Sequence, residues 1–157
     1  MKINIISVGH KPPKWAEEGC KEYLKRFQRD LSIVLTELKP GFRVGDTDKN
    51  HLARTKEKER ILPKLNKNAN LIALDETGTQ TTTKELAQLL TNWMIEGRDV
   101  DFVIGGADGL APEIKNQADK TLSLSLMTYP HALARLILIE QLYRAQCIIK
   151  NHPYHRE

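Results

Sequence analysis

Three short stretches carry side chains able to do chemistry. The sequence closes on NHPYHRE, Asn151 to Glu157. It holds two imidazoles that titrate near neutral pH, His152 and His155, with the permanent cation Arg156 and the aromatic Tyr154 beside a rigid proline. Such a peptide can stack on an unstacked base, balance an anion and move a proton. IGGADGL, Ile104 to Leu110, places Gly105, Gly106 and Gly109 where backbone can approach a ligand closely or turn with positive φ. LSLMTYPHA, Leu124 to Ala132, is mostly apolar, with Ser125 and Thr128 as small polar members. It can wrap a flat ring and offer backbone N–H and C=O to the ring edge. Each stretch also has a plainer reading: a frayed end, a tight turn, a buried strand stopped by proline.

The elements that must position these stretches alternate in type. KINIISVG (Lys2 to Gly9), SIVLTEL (Ser32 to Leu38), ANLIALDETG (Ala69 to Gly78, running into a turn), VDFVI and KTLSLSLM are β-rich runs. Between them lie PPKWAEEGCKEYLKRFQRD, LARTKEKERILPKL, a helix over Thr83 to Glu96 with Leu86, Leu89, Leu90 and Trp93 on one face, and a short helix in APEIKNQAD. The KEKER run mixes both signs and reads as a solvated face. PGFRVGDTDKN is a polar loop. Alternating strands and helices give an α/β domain with a mostly parallel sheet and helices on both faces, spanning residues 1–157 as one domain.

In such sheets a ligand sits beyond the carboxyl ends of the strands. If the third, fourth and fifth strands are neighbours, LDETG, IGGADGL and LSLMTYPHA form one pocket. The glycines follow the fourth strand with spacing GGxxG, not the first strand with GxGxxG, and Asp108 sits within them. With Asp75 and Glu76 nearby, a phosphate-free cationic nucleoside suits the pocket better than a dinucleotide. S-adenosylmethionine has that chemistry, an adenosine bearing a sulfonium.

The final helix, about His131 to Lys150, is apolar nearly all round, while His131, Arg135, Gln146 and Lys150 share one sector. A single sheet cannot cover all of it, so a symmetric homodimer is expected. Apolar residues make up 40% of 157, enough for one core, and the net charge is +4, a mild bias toward polyanions. The apolar runs are too short to cross a membrane or to form a secretion signal, Cys20 and Cys147 read as buried thiols, and no metal framework is present, so a cytoplasmic protein is expected.

VDFVIGGADGL, LSLSLMTYPHALARLILIEQLYRAQ and NHPYHRE, together with the opening KINIISVGHK and the EYLKRF and ALDETG segments, resemble the SPOUT-class methyltransferases that modify N3 of a pseudouridine in bacterial 23S rRNA. The similarity runs essentially the whole length of the chain. It implies an α/β fold with a C-terminal trefoil knot, which spacing alone does not suggest. It implies S-adenosylmethionine held by Leu74, Gly105 and the stretch Leu124, Ser125, Leu126, Met127, Thr128 and Tyr129, with Gly106 beside them. It implies a homodimer whose pocket the partner chain completes, and a substrate in helix 69 of the assembled ribosome. For that reaction the residues themselves rank His155 first as base or orienting group, then Arg156 and Tyr154, then Arg135 one helical turn after the cofactor loop. Water remains an alternative proton acceptor. The competing readings are a nucleotide-binding oxidoreductase, disfavoured by the glycine position and Asp108, and a noncatalytic ribosome-binding factor.

Overall fold

The computed structural model describes residues 1–42 and 50–154. Five strands, β1 (Lys2–Val8), β2 (Ser32–Leu38), β3 (Asn70–Gln80), β4 (Val100–Ile104) and β5 (Lys120–Ser123), form one sheet in the order β2-β1-β4-β3-β5. Every pairing is parallel. Helices α1 (Lys14–Leu24), α2 (Asn50–Ile61), α3 (Thr83–Glu96) and α4 (Pro112–Gln117) make the crossovers, and α5 (His131–Ile149) follows the last strand.

The period-two alternation of the strands decides which side each helix takes. Ile3 and Ile5, Ile72, and Val100, Phe102 and Ile104 point to one face, where α1, α3 and α5 cover them with Cys20, Leu86, Leu90, Trp93, Leu138, Ile139 and Leu142. Ile6 and Val8, Ala73 and Val103 point to the other face, against Ile61 of α2 and Ile114 of α4. Helices therefore lie on both faces, as the sequence pattern implies. Both cysteines are buried thiols.

The boundaries of α3 follow from its caps. The Thr82 side chain accepts from Glu85 N (3.2 Å) while the Glu85 carboxylate accepts from Thr82 N (2.7 Å), and Gly97 ends the helix at φ 67°. Thr82→Ala removes half of this exchange and is expected to cost about 1 kcal/mol in denaturant unfolding, with an unchanged dependence on denaturant.

Three expectations need correction. β5 stops at Ser123 instead of running to Met127, because Ser123 Oγ donates to Ser125 O (2.8 Å) and Met127 N donates to Ser125 Oγ (2.9 Å). These local bonds compete with the ladder and turn the chain. β3 does not end in a turn at LDETG but continues to Gln80. Leu74 and Thr79 both face Leu122, so Asp75 to Gly78 arch out of the ladder. Within KEKER, Glu57 is 5% exposed and lies inside the protein. The expected loop over Lys39 to Asn50 falls mainly on residues 43–49, outside the described residues.

Candidate active site at the carboxyl ends of three strands

Adjacency of β4, β3 and β5 brings the three expected loops side by side. The glycine-rich loop closes on itself. Gly106 and Gly109 form an isolated antiparallel bridge, Gly109 N donates to Gly106 O (3.0 Å), and Gly109 has φ 75°. A Cβ on Gly105 would lie 2.7 Å from Gly109 C and 2.8 Å from Leu110 N. Gly105 is thus required first by the loop's own closure, a different reason from the ligand approach that its spacing suggests.

The arch of β3 is built to meet the loop after β5. The Asp75 carboxylate accepts from Thr77 N (3.0 Å) and Thr77 Oγ1 (2.5 Å), closing an Asx turn, and pairs with Lys115 Nζ of α4 at 3.2 Å. Burial pushes the Asp75 carboxyl up, but the Thr77 bonds and Lys115 more than offset this and hold it below the usual carboxylate range. Gly78 packs so closely on Leu122 that a Cβ would lie 2.6 Å from its carbonyl carbon. Thr128 Oγ1 donates to Glu76 (2.9 Å), tying the loop after β5 to the arch. Gly78 and Glu76 thus join the end of β3 to β5 and the loop after it, and only the fold reveals Gly78's part.

Along that loop, Leu124, Ser125 and Tyr129 are half-buried, whereas Leu126 is 84% and Met127 71% exposed. These two large apolar side chains are left uncovered by the described residues. A concavity of about 550 Å³ lies between Gln80, the first turns of α3 and the edge strand β5, where the apolar Leu89 and Leu122 sit among polar residues such as Glu85, Gln88 and Lys120.

Past the loop, the His131 ring opens α5 by packing over Gly9 at the end of β1, where a Cβ would overlap it. Burial, then the positive charge of Arg135, then His10, lowers its pKa. The unfolded chain takes up a proton near pH 6.5, before the folded one does. The contribution of His131 to stability is therefore present above pH 6.5 and is lost as pH falls through the lower folded value. In His131→Gln the thermal midpoint is expected to fall less steeply between pH 7 and 5 than in the parent protein.

Arg135 is 4% exposed and ion-paired with Glu37 of β2, and among the described residues its Nε has no hydrogen-bond partner. It stands behind the first turn of α5, beside the buried Cys20 thiol, whose pKa burial raises against the opposing pull of Arg135.

The tail takes a course that spacing does not suggest. Asn151 adopts φ 54°, His152 N donates to Cys147 O (2.8 Å), and the chain turns back along α5. Tyr154 packs on Tyr143 with ring centroids 4.8 Å apart, and Arg144 lies over its ring at 4.9 Å. Its hydroxyl donates to Glu140 Oε1 (3.1 Å) and shares a 3.2 Å bond with Tyr23. Burial, the Tyr23 bond and the Glu140 charge all raise its pKa, so it stays a neutral phenol. Glu140 is nine residues past His131, roughly 14 Å along the helix axis. Within one chain, Tyr154 is therefore not beside the three loops. His155 and Arg156 lie outside the described residues.

The chemistry of the three loops fits a cationic nucleoside. Asp75 stays ionised against Lys115, Glu113 in the first turn of α4 is paired with Lys58, and Pro112 removes one of that helix's free amides, so the start of α4 offers little to a phosphate. Among the described residues, no group of three or more His, Cys, Asp or Glu stands where it could hold a metal ion, and no helix is long and apolar enough to cross a membrane.

Residues 1–155 match the family described as "Predicted SPOUT methyltransferase". The chain is 54% identical over 157 residues to a protein of Thiobacillus denitrificans named ribosomal RNA large subunit methyltransferase H, covering 100% of both chains. It is 52% identical to the like-named protein of Dechloromonas aromatica, covering 100% of this chain and 99% of that one. A crystal structure of a methylase family protein from Neisseria gonorrhoeae superposes with a TM-score of 0.55 at 14% identity, over 90% of this chain and 81% of that one, a likeness of fold alone.

Proposed function

Because this chain belongs to the SPOUT methyltransferase family, we propose that it methylates N3 of a pseudouridine in helix 69 of 23S rRNA on the assembled ribosome, with S-adenosylmethionine as methyl donor. The observation that carries this reading is the junction of the three loops: a closed glycine hairpin beside an anionic arch that is bonded to the loop after β5. The relatives named above as ribosomal RNA large subunit methyltransferases supply the substrate class.

When bound, the donor supplies an electrophilic methyl on a sulfonium. Leu74, Gly105 and Gly106 form one wall of its site, and Leu124 to Tyr129 supply the other. The ionised Asp75 and the neighbouring Glu76 suit the positive charge. Arg135 acts from behind, fixing the first turn of α5 through Glu37 and biasing His131 toward its neutral form. Tyr154, His155 and Arg156 act on the base: the ring stacks, the guanidinium balances the imide anion, and His155 takes or orients the imide proton.

Since Tyr154 lies along its own α5, those groups reach a pocket as part of a dimer. Exposed Leu126 and Met127, the 55% exposed Trp15 at the start of α1, and half-buried Leu133 and Ile137 on α5 give such a dimer its apolar surface. The function is tested by incubating the full chain with unmethylated ribosomes and methyl-labelled donor, then mapping 23S rRNA by mass. One methyl on one helix-69 pseudouridine is expected. No incorporation, or tighter binding of NADH than of S-adenosylmethionine, overturns the reading.

A further inference from the structure

Glu57 is a buried acidic residue behind the glycine-rich loop. On one side its Oε1 accepts from Gly41 N at 2.9 Å. On the other, a Cβ on Gly106 would lie 2.8 Å from Oε1 and 3.0 Å from Oε2, so the carboxylate rests directly on the Gly106 Cα. No side chain fits between them. The helix around Glu57 is held in place from both directions. Arg60 Nη1 donates to Lys39 O (2.6 Å) and Pro40 O (2.7 Å), and Lys58 Nζ donates to Glu113 of α4 (2.6 Å).

Among the described residues the Glu57 carboxylate accepts one amide hydrogen bond, and that does not require a charge. A glutamine of the same shape would do it without the cost of removing an ion from water. A carboxylate in that place has a second effect: at 5% exposure its field is poorly screened and reaches through a glycine that adds no bulk. Methyl transfer turns a cationic sulfonium into a neutral thioether, so the two ligands of one pocket differ by one charge. A fixed anion behind the pocket wall holds the reactant more firmly than the spent product.

We propose that Glu57 is a specificity-determining residue: its carboxylate, seated on Gly106, makes the glycine loop prefer the sulfonium donor over the thioether product. This rests on the reading that the loop holds S-adenosylmethionine. The test is calorimetric titration of the full chain, at low ionic strength, with S-adenosylmethionine and with S-adenosylhomocysteine. Glu57→Gln is expected to lower the donor-over-product preference about tenfold. Glu57→Asp is expected to retain the preference even where both affinities weaken. A Glu57→Gln protein in which both affinities fall in parallel, or neither changes, overturns the proposal while leaving the loop's role intact. A parent protein that binds neither ligand overturns both readings. Should Glu57→Gln fail to fold, as judged by its thermal midpoint, Gly106→Ala replaces it. The added methyl displaces the carboxylate, so the preference must fall, and parallel weakening again overturns the proposal.

Discussion

Removing residues 152–157 is expected to leave S-adenosylmethionine affinity within a few-fold of the full chain while lowering methyl transfer by about 10²–10⁴-fold, the usual worth of a positioned acid–base group. The described bonds that hold the three loops run within the strand ends: Gly109 to Gly106, Thr128 to Glu76 and Met127 to Ser125. Tyr154 packs farther along α5, through Tyr143, Glu140, Arg144 and Tyr23. Truncation uncovers the 8% exposed Tyr143, so the thermal midpoint falls as well, and transfer is compared well below it. Full transfer by the truncated chain would remove the tail from the mechanism.

The same truncation distinguishes a tail that serves its own pocket from one that serves a partner. Mixed with Gly105→Val chains, truncated chains are expected to regain part of the lost transfer, because a mixed dimer pairs an intact pocket with an intact tail. A tail acting within its own chain gives no recovery in that mixture.

Gly105→Val by itself is expected to weaken S-adenosylmethionine binding at least 100-fold, as measured by calorimetry. The side chain has no room. Its Cβ alone would sit 2.7 Å from the Gly109 carbonyl carbon, and the two γ methyls extend the overlap into Leu110, which is 3% exposed. The hairpin must open, breaking the Gly109 to Gly106 bond and moving the wall of the site. The strain is typical of overpacking, about 1–3 kcal/mol, so the protein should still fold with a lowered midpoint. Unchanged donor affinity in a folded variant would place the donor elsewhere.

Much of the fold was legible because short-range rules govern it. Thr82, Glu85 and Gly97 set α3 to the residue, and the mostly apolar runs in Lys2–Val8 and Val100–Ile104 suit parallel strands buried on both faces. Less legible were features in which distant residues compete with local rules. Glu57 sits in a run of mixed charges that reads as solvated, yet Gly41 and Gly106, 16 and 49 residues away in the chain, leave a space that its carboxylate fills. LDETG has the composition of a turn, but pairing with β5 at Leu122 carries the strand past it.

Element types, the three loops at the strand ends and, through resemblance, the family could be read from the order of residues alone. Propensity, capping and residue chemistry act over a few residues and are written into the order of the chain. Only the tertiary structure decided that Gly105 serves its own loop, that Gly78 rests on Leu122, that Arg135 lies buried against Glu37 and that Tyr154 turns back on α5. Those outcomes depend on which surfaces meet across the sheet, and steric exclusion between groups far apart in the chain leaves no local pattern to read.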